Sequence, residues 1–294
     1  MKEHVFPVNG IYYRTNGFDA AKPTIVFIHG LSGCSSAWEP YEREFMGRCN
    51  VVCMDLRGHG RSKKYVKESD YDIDLFIKDV EAVLAYLEID EYIVASHSFG
   101  SAISVGLILK DPDKIKGALF LSPAFKERNS ISTWAVRCVS SFASLVLRMF
   151  PAAKGPGKRI DYSRIIPTRD WDWNRIRIDI ENTGLAIYFF CLHSLYRSMS
   201  DDFFSKLSLP VLIIHGQVDS IVSVSHSIEA QKKISGSKLV VIPEADHMLI
   251  FNYPTEISGS MADFIAQIDQ ADGPHAGGSV ASPQILPVKM TFMK

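Results

Sequence analysis

The chain has 294 residues, 47% of them hydrophobic, with 32 Lys and Arg set against 33 Asp and Glu. That size allows one large α/β domain with an insertion, and the near-neutral balance without any basic block excludes nucleic acid as a partner. Five cysteines, without metal-ligand spacing or a compact framework, exclude a disulfide scaffold and point to a reducing compartment.

The N-terminus lacks the apolar stretch of a signal peptide, and no run reaches the roughly 18 to 20 apolar residues of a membrane span. A cytoplasmic protein is expected. Residues 5–8 and 11–15 read as strands on either side of Asn9-Gly10, a hairpin signal. Residues 24–28 are continuously apolar, as in a strand covered on both faces, and end in His29-Gly30-Leu31-Ser32-Gly33. A helix over 38–46 and a strand over 51–54 follow, the strand entering a glycine-punctuated turn at 55–62. Leu75, Val80, Val83, Leu84 and Leu87 recur at helical spacing within 74–87, with Asp72 or Asp74 as cap. A β-branched strand from Tyr92 breaks at Ser98; 102–109 reads as helix and 117–121 as strand.

Between 122 and 207 the alternation stops, and aromatic and basic residues concentrate. It resumes with a strand at 211–214, a helix at 225–234, a strand at 238–242 and a helix at 254–268. Apolar strands alternating with helices specify an α/β fold: a mostly parallel, eight-stranded sheet with helices on both faces and a hairpin at its edge. The expected division is a core at 1–122 and 208–269, a helical cap inserted at 123–207, and a flexible tail at 270–294 rich in Gly, Pro, Ser and Ala.

The stretch Tyr92-Ile93-Val94-Ala95-Ser96-His97-Ser98-Phe99-Gly100 spells strand, sharp turn and helix with a serine at the apex. A serine held clear of a sheet in a strained turn needs small neighbours at −2 and +2, here Ser96 and Gly100. Its hydroxyl is a poor nucleophile alone; it needs an imidazole, a carboxylate to fix the imidazole's tautomer, and N–H donors for an oxyanion. Ligands of open α/β sheets bind at the carboxyl ends of strands. That selects Asp219 after the strand at 211–214, His247 after the strand ending at 242, and the loop at 29–31. Asp246 adjoins His247 and cannot readily turn back onto its ring, which favours Asp219 as the acid. By period-2 alternation His97 faces away from the nucleophile and is structural. His29 braces its loop, His215 is a satisfied core histidine, and Arg57 caps or pairs within its own turn.

Up to about residue 268 the chain resembles the α/β-hydrolases. The matching segments are H-G-L-S-G at 29–33, D-L-R-G-H-G-R-S at 55–62, S-H-S-F-G at 96–100, H-G-Q-V-D-S-I-V at 215–222 and D-H at 246–247. The resemblance implies Ser98 as nucleophile, His247 as general base and then acid, Asp219 as orienting carboxylate, and the N–H groups of Leu31 and Phe99 as oxyanion hole, with no metal or organic cofactor.

In the insertion, a largely apolar helix at 136–150 ends at Pro151, followed by the basic turn Gly155-Pro156-Gly157-Lys158-Arg159 and by Ile160-Asp161-Tyr162-Ser163-Arg164-Ile165. With H-G-x-x-D-x-I-V around the acid, this order is similar to the monoacylglycerol lipase and lysophospholipase branch. It implies a serine hydrolase that cleaves carboxylic esters of lipophilic acyl chains through an acyl-enzyme. Trp134, Phe142, Leu145, Trp171, Phe189 and Met248 are candidate contacts for the chain; the bland alternative is that the cap's aromatics form its own small core. An amphipathic cap helix would also allow transient contact with a membrane surface. The same triad serves C–C bond hydrolysis, acyl transfer and perhydrolysis, and the scaffold also serves as a non-turnover ligand receptor, so these alternatives stay open.

Overall fold

The computed structural model describes residues 1–125, 131–149, 155–165, 169–198 and 201–271. Strands β1 (Lys2–Val5) and β2 (Tyr12–Thr15) pair antiparallel, from Lys2 opposite Thr15 to Val5 opposite Tyr12. The connection between them is a longer loop than the two-residue turn that Asn9-Gly10 suggests. Pro7 has no N–H to extend the ladder, and the Asn9 amide is drawn away to Asp79 at 2.7 Å. The loop closes instead through Phe6 N–H to the Ile11 carbonyl (2.7 Å) and Gly10 N–H to the Phe6 carbonyl (2.9 Å).

β3 (Thr24–Ile28), β4 (Asn50–Met54), β5 (Tyr92–His97), β6 (Ile115–Leu121), β7 (Val211–Gly216) and β8 (Lys238–Ile242) complete an eight-stranded sheet in the order β1-β2-β4-β3-β5-β6-β7-β8. β2 meets β4 antiparallel, and every junction beyond β4 is parallel. β3, β4, β5 and β7 are buried at every position, which is why their sequences are continuous apolar runs. Successive side chains serve opposite cores: Val26, Val94 and Phe120 on one face, Ile25, Ile93 and Leu119 on the other.

Helices α1 (Glu39–Phe45), α2 (Ile73–Tyr86) and α3 (Gly100–Lys110) connect the strands up to β6; α4 (Ile131–Leu147), α5 (Trp173–Thr183) and α6 (Leu185–Ser198) lie between β6 and β7. α7 (Val224–Lys233), α8 (Leu249–Asn252) and α9 (Pro254–Ala271) close the chain. Phe76 and Val80 of α2 join Ile103 and Leu107 of α3 in one core, while Tyr41 and Phe45 of α1 join Ile257 and Met261 of α9 in the other. Phe150 and Pro151, expected to end the cap helix, and all of the tail beyond Ala271 lie outside the described residues.

α4 has inverted polarity. Its inward face carries the fully buried Ser140 and Ser144, while Trp134, Val139, Phe142, Leu145, Val146 and Met149 are exposed. The anchors are polar: Glu68 accepts from Ser144 Oγ (2.5 Å) and His193 Nδ1 (2.6 Å) and pairs with Arg148. The helix packs against α6.

Arg57 does not pair within its own turn. It crosses to α2, where Nε and Nη2 meet Asp79 Oδ2 and Oδ1 at 2.7 and 2.8 Å, and Nη1 donates to the Asp70 carbonyl at 2.6 Å. Both side chains are buried, so the pair fixes the 55–62 turn against α2 only while both partners remain. Asp79→Ala is expected to destabilise the fold by about 3–5 kcal/mol, and the volume-matched Arg57→Met/Asp79→Leu pair by much less. Urea unfolding of the three chains tests this.

Candidate active site

Ser98 follows β5 directly and has φ of 49°, a left-handed conformation that a serine holds only under constraint. Its N–H donates to the Leu121 carbonyl at 3.0 Å, and its carbonyl accepts from Ser101 N–H at 2.9 Å. A Cβ at Gly100 would lie 2.7 Å from the Ile28 carbonyl oxygen and 2.8 Å from that of His29, so only glycine fits at +2. At −2, Ser96 is fully buried, and its hydroxyl has no hydrogen-bond partner among the described residues. The elbow accommodates the larger residue at the cost of one unsatisfied hydroxyl.

Three loops at the carboxyl ends of β5, β7 and β8 converge here. Ser98 Oγ lies 2.8 Å from His247 Nε2, and His247 Nδ1 lies 2.7 Å from Asp219 Oδ2. With Nδ1–H donated to the carboxylate, Nε2 is left as the acceptor facing the hydroxyl. Asp219 collects further donors: Ile221 and Val222 N–H on Oδ1 at 2.9 and 2.8 Å, and His215 Nε2 at 3.1 Å from Oδ2. Burial acts to raise the pKa of this carboxyl, but the bonds from His215 and His247 outweigh it and hold the group far below the usual carboxylate range. Asp219 is therefore ionised at any working pH. Asp246 instead accepts from Met248 N–H at 2.9 Å.

His215 is thus more than a satisfied core residue, since it touches the carboxylate as well as Ser227 Oγ (2.7 Å). His97 also does more than alternation suggests. Its ring lies 5.0 Å from that of His247, and its Nε2–H donates to the His247 carbonyl at 3.0 Å. The loop at 29–33 abuts the elbow: a Cβ at Gly30 would lie 2.8 Å from His97 Nδ1 and 3.4 Å from Ser98 Cβ. His29 braces that loop, donating from Nδ1 to the Gly30 carbonyl (2.7 Å) and accepting Leu56 N–H on Nε2 (2.9 Å). Thr183, at the end of α5, donates to the Ser32 carbonyl at 3.1 Å. Among the described residues, no acceptor is paired with the N–H of Leu31 or of Phe99, as an oxyanion site requires. No cluster of three or more His, Cys, Asp or Glu among the described residues is arranged to hold a metal ion.

The six candidate substrate contacts separate. Trp134, Phe142, Leu145 and Trp171 are 66, 69, 59 and 59% exposed, so they form an open surface and not the lining of an enclosed chamber. For α4 the cause is its inward serines, which turn the apolar side out. Trp171 donates from Nε1 to Ser220 Oγ at 3.0 Å, beside the acid. Phe189 is half-buried edge-on to Tyr188, and Met248 is buried directly after the base.

Comparison with known proteins places this geometry. A family model described as the alpha/beta hydrolase fold matches residues 23–254. An uncharacterised protein of Mycobacterium tuberculosis is 24% identical over 280 residues, spanning 88% of this chain and 82% of its own. The 3-oxoadipate enol-lactonase 2 of Acinetobacter baylyi is 26% identical, spanning 80% of this chain and 85% of its own. The crystal structure of a thermophilic esterase from Thermogutta terrifontis superposes with a TM-score of 0.68 at 17% identity, covering 91% of this chain and 99% of that one.

Burial pushes the imidazoles of His29, His59 and His97 down to about 4, 3 and 3, so the folded state keeps them neutral. Below the unfolded value of about 6.5 the unfolded chain binds protons that the folded chain refuses. Stability is full above that pH and falls as pH drops toward the folded values, by about 1 kcal/mol per imidazole at pH 5.5. Denaturant midpoints measured from pH 8 to 5 are expected to be flat above about 6.5 and to decline below it.

Proposed function

The chain belongs to the alpha/beta hydrolase fold family, and on that premise we propose that it is a serine hydrolase cleaving carboxylic esters of lipophilic acyl chains, of the monoacylglycerol or lysophospholipid kind. The observation that carries this reading is the unbroken relay from Ser98 Oγ through His247 to Asp219, at 2.8 and 2.7 Å. Nε2 takes the serine proton as Oγ attacks the ester carbonyl carbon, and the ionised Asp219 stabilises the imidazolium. The carbonyl oxygen, now an oxyanion, faces the N–H groups of Leu31 and Phe99. His247 returns the proton to the departing alkoxide and the alcohol leaves, with Ser98 acylated. Water then adds to the acyl carbon, giving its proton to Nε2; collapse releases the acid as the proton goes back to Ser98 Oγ.

The exposed apolar face of α4 supports a lipid-like substrate. Charge supports a lipid surface as the place where it is met: residues 123–207 carry thirteen Lys and Arg against eight Asp and Glu, while the rest of the chain carries 19 against 25. We propose that this face rests transiently on an anionic membrane surface. No helix among the described residues is long and apolar enough to cross one. The free thiols at all five cysteines fit a reducing compartment, and a cytoplasmic location is proposed on that ground.

A second reading has a specific observation behind it, a relative named as an enol-lactonase. A lactone is an internal ester that opens through the same acyl-enzyme, and it differs in being small and polar. Acyl-chain length separates the two readings. Ser98→Ala is expected to lower p-nitrophenyl ester hydrolysis at least about 10³-fold with an unchanged circular dichroism spectrum. Wild-type rates are expected to rise from butyrate to longer chains; a steep fall beyond butyrate supports the small lactone instead. Val146→Asp with Met149→Asp is expected to leave short soluble esters untouched and to cut sedimentation with anionic vesicles about tenfold.

A further inference from the structure

We propose that Asp170, contributed by the segment that leads into α5, is a positioning residue that holds the loops of the acid and the base in register; the inference rests on the hydrolase reading of the site. Its side chain is among the least exposed of the chain's carboxylates, with the residue at 3%. Oδ1 accepts the backbone N–H of His247 at 2.6 Å. Oδ2 accepts both the N–H and the hydroxyl of Ser220, the residue after the acid, each at 2.7 Å. Ser220 Oγ in turn accepts Trp171 Nε1–H at 3.0 Å, so two consecutive residues grip one serine.

Among the described residues, apart from the Asp219–His247 bond itself, no other side chain bridges the two loops at this depth. Gln217 and Val218 bond to the Ile242 and Ala245 carbonyls, at 3.0 Å each, but these contacts lie nearer the sheet than Asp219 and His247 do. Beyond them the chain leaves the sheet, and the separation of acid from base is set by Asp170. A buried carboxylate is expensive to desolvate and survives only when its oxygens are occupied by good donors. Here all three donors belong to the two catalytic loops. Arg175 reaches the Asp170 main-chain carbonyl at 3.4 Å while its Nη1 pairs with Asp179 at 2.8 Å, which holds the backbone of this segment against α5.

Two consequences follow. Displacing this segment strips a partner from His247 N–H and from Ser220 N–H together, so the alignment of the triad is coupled to the seating of the cap. A shift of about 1 Å at a catalytic base can cost about 10²-fold in rate. Asp170→Asn is an informative substitution because it keeps the shape: its one carbonyl oxygen can serve one loop, and its NH₂ group then confronts the donors of the other.

The test compares the full-length wild type with Asp170→Asn and with Asp172→Ala. Asp172 caps α5 by accepting the N–H groups of Asn174 and Arg175 at 3.0 and 3.1 Å, so its loss removes one cap of the same helix while the three donors on Asp170 remain. Three quantities are read: amide exchange at Ser220 and His247, the second-order rate of Ser98 labelling by a fluorophosphonate, and kcat and KM on a p-nitrophenyl ester. Asp170→Asn is expected to speed exchange at both amides and to slow labelling and kcat by about tenfold or more, with KM little changed. Asp172→Ala is expected to lower Tm and leave labelling unchanged. Equal labelling rates in wild type and Asp170→Asn, or an equal loss in Asp172→Ala, overturns the proposal. A wild type that labels but turns over no ester overturns the hydrolase reading alone, and the exchange and labelling comparison still decides the role of Asp170.

Discussion

The hydrogen bond between Ser98 Oγ and His247 Nε2 is the contact on which the rest of the architecture converges. It joins residues 149 positions apart, so it exists only because parallel strands deliver their carboxyl ends to one edge of the sheet. β6 lies between β5 and β7, whose carboxyl ends lead to Ser98 and Asp219. It ends at Leu121, and the next residue, Ser122, turns sharply with φ of 38° while its N–H bonds to the Ile214 carbonyl at 2.8 Å. Two strained serines thus stand at neighbouring strand ends, Ser98 after β5 and Ser122 after β6.

The electrostatics follow the same economy. Three imidazoles around the site are buried and neutral, each fixed by a backbone partner: His29 by Gly30, His59 by Arg57 and His97 by His247. The Asp219 carboxylate, in contact with the His247 ring, is held charged. An imidazolium forming at His247 therefore finds a nearby anion and no competing cation among those three rings. The cap takes part in this arrangement through Asp170 and Thr183, which contact the acid and base loops and the oxyanion loop respectively.

Most of the sheet and the triad could be read from residue order, because both leave local marks. A strand buried on both faces is an apolar run, and a nucleophile elbow is a serine between small residues. The N-terminal hairpin is present as its sequence indicates, but its connection is longer than two residues, with the Asn9 Nδ2 drawn to Asp79. The long-range partners of Arg57 and Asp170 left no local mark. Their partners are 22 and 77 residues away, and a lone Arg or Asp in a polar stretch looks like any solvated charge. Helix α4 was legible as a helix with an apolar side, but periodicity does not say which side faces in. That was decided by Glu68, whose carboxylate claims the serine side.

Helix α4 is tied to the body of the protein by the Ser144 hydroxyl and, just past its end, the Arg148 guanidinium, both on the Glu68 carboxylate that also holds His193 of α6. Water can replace every one of those bonds, whereas it replaces buried apolar contacts only at a large loss. Lifting this helix away is therefore a cheap excursion from the native state, separable from unfolding of the sheet. The energy that would normally lock such a helix down has been left on its outer side.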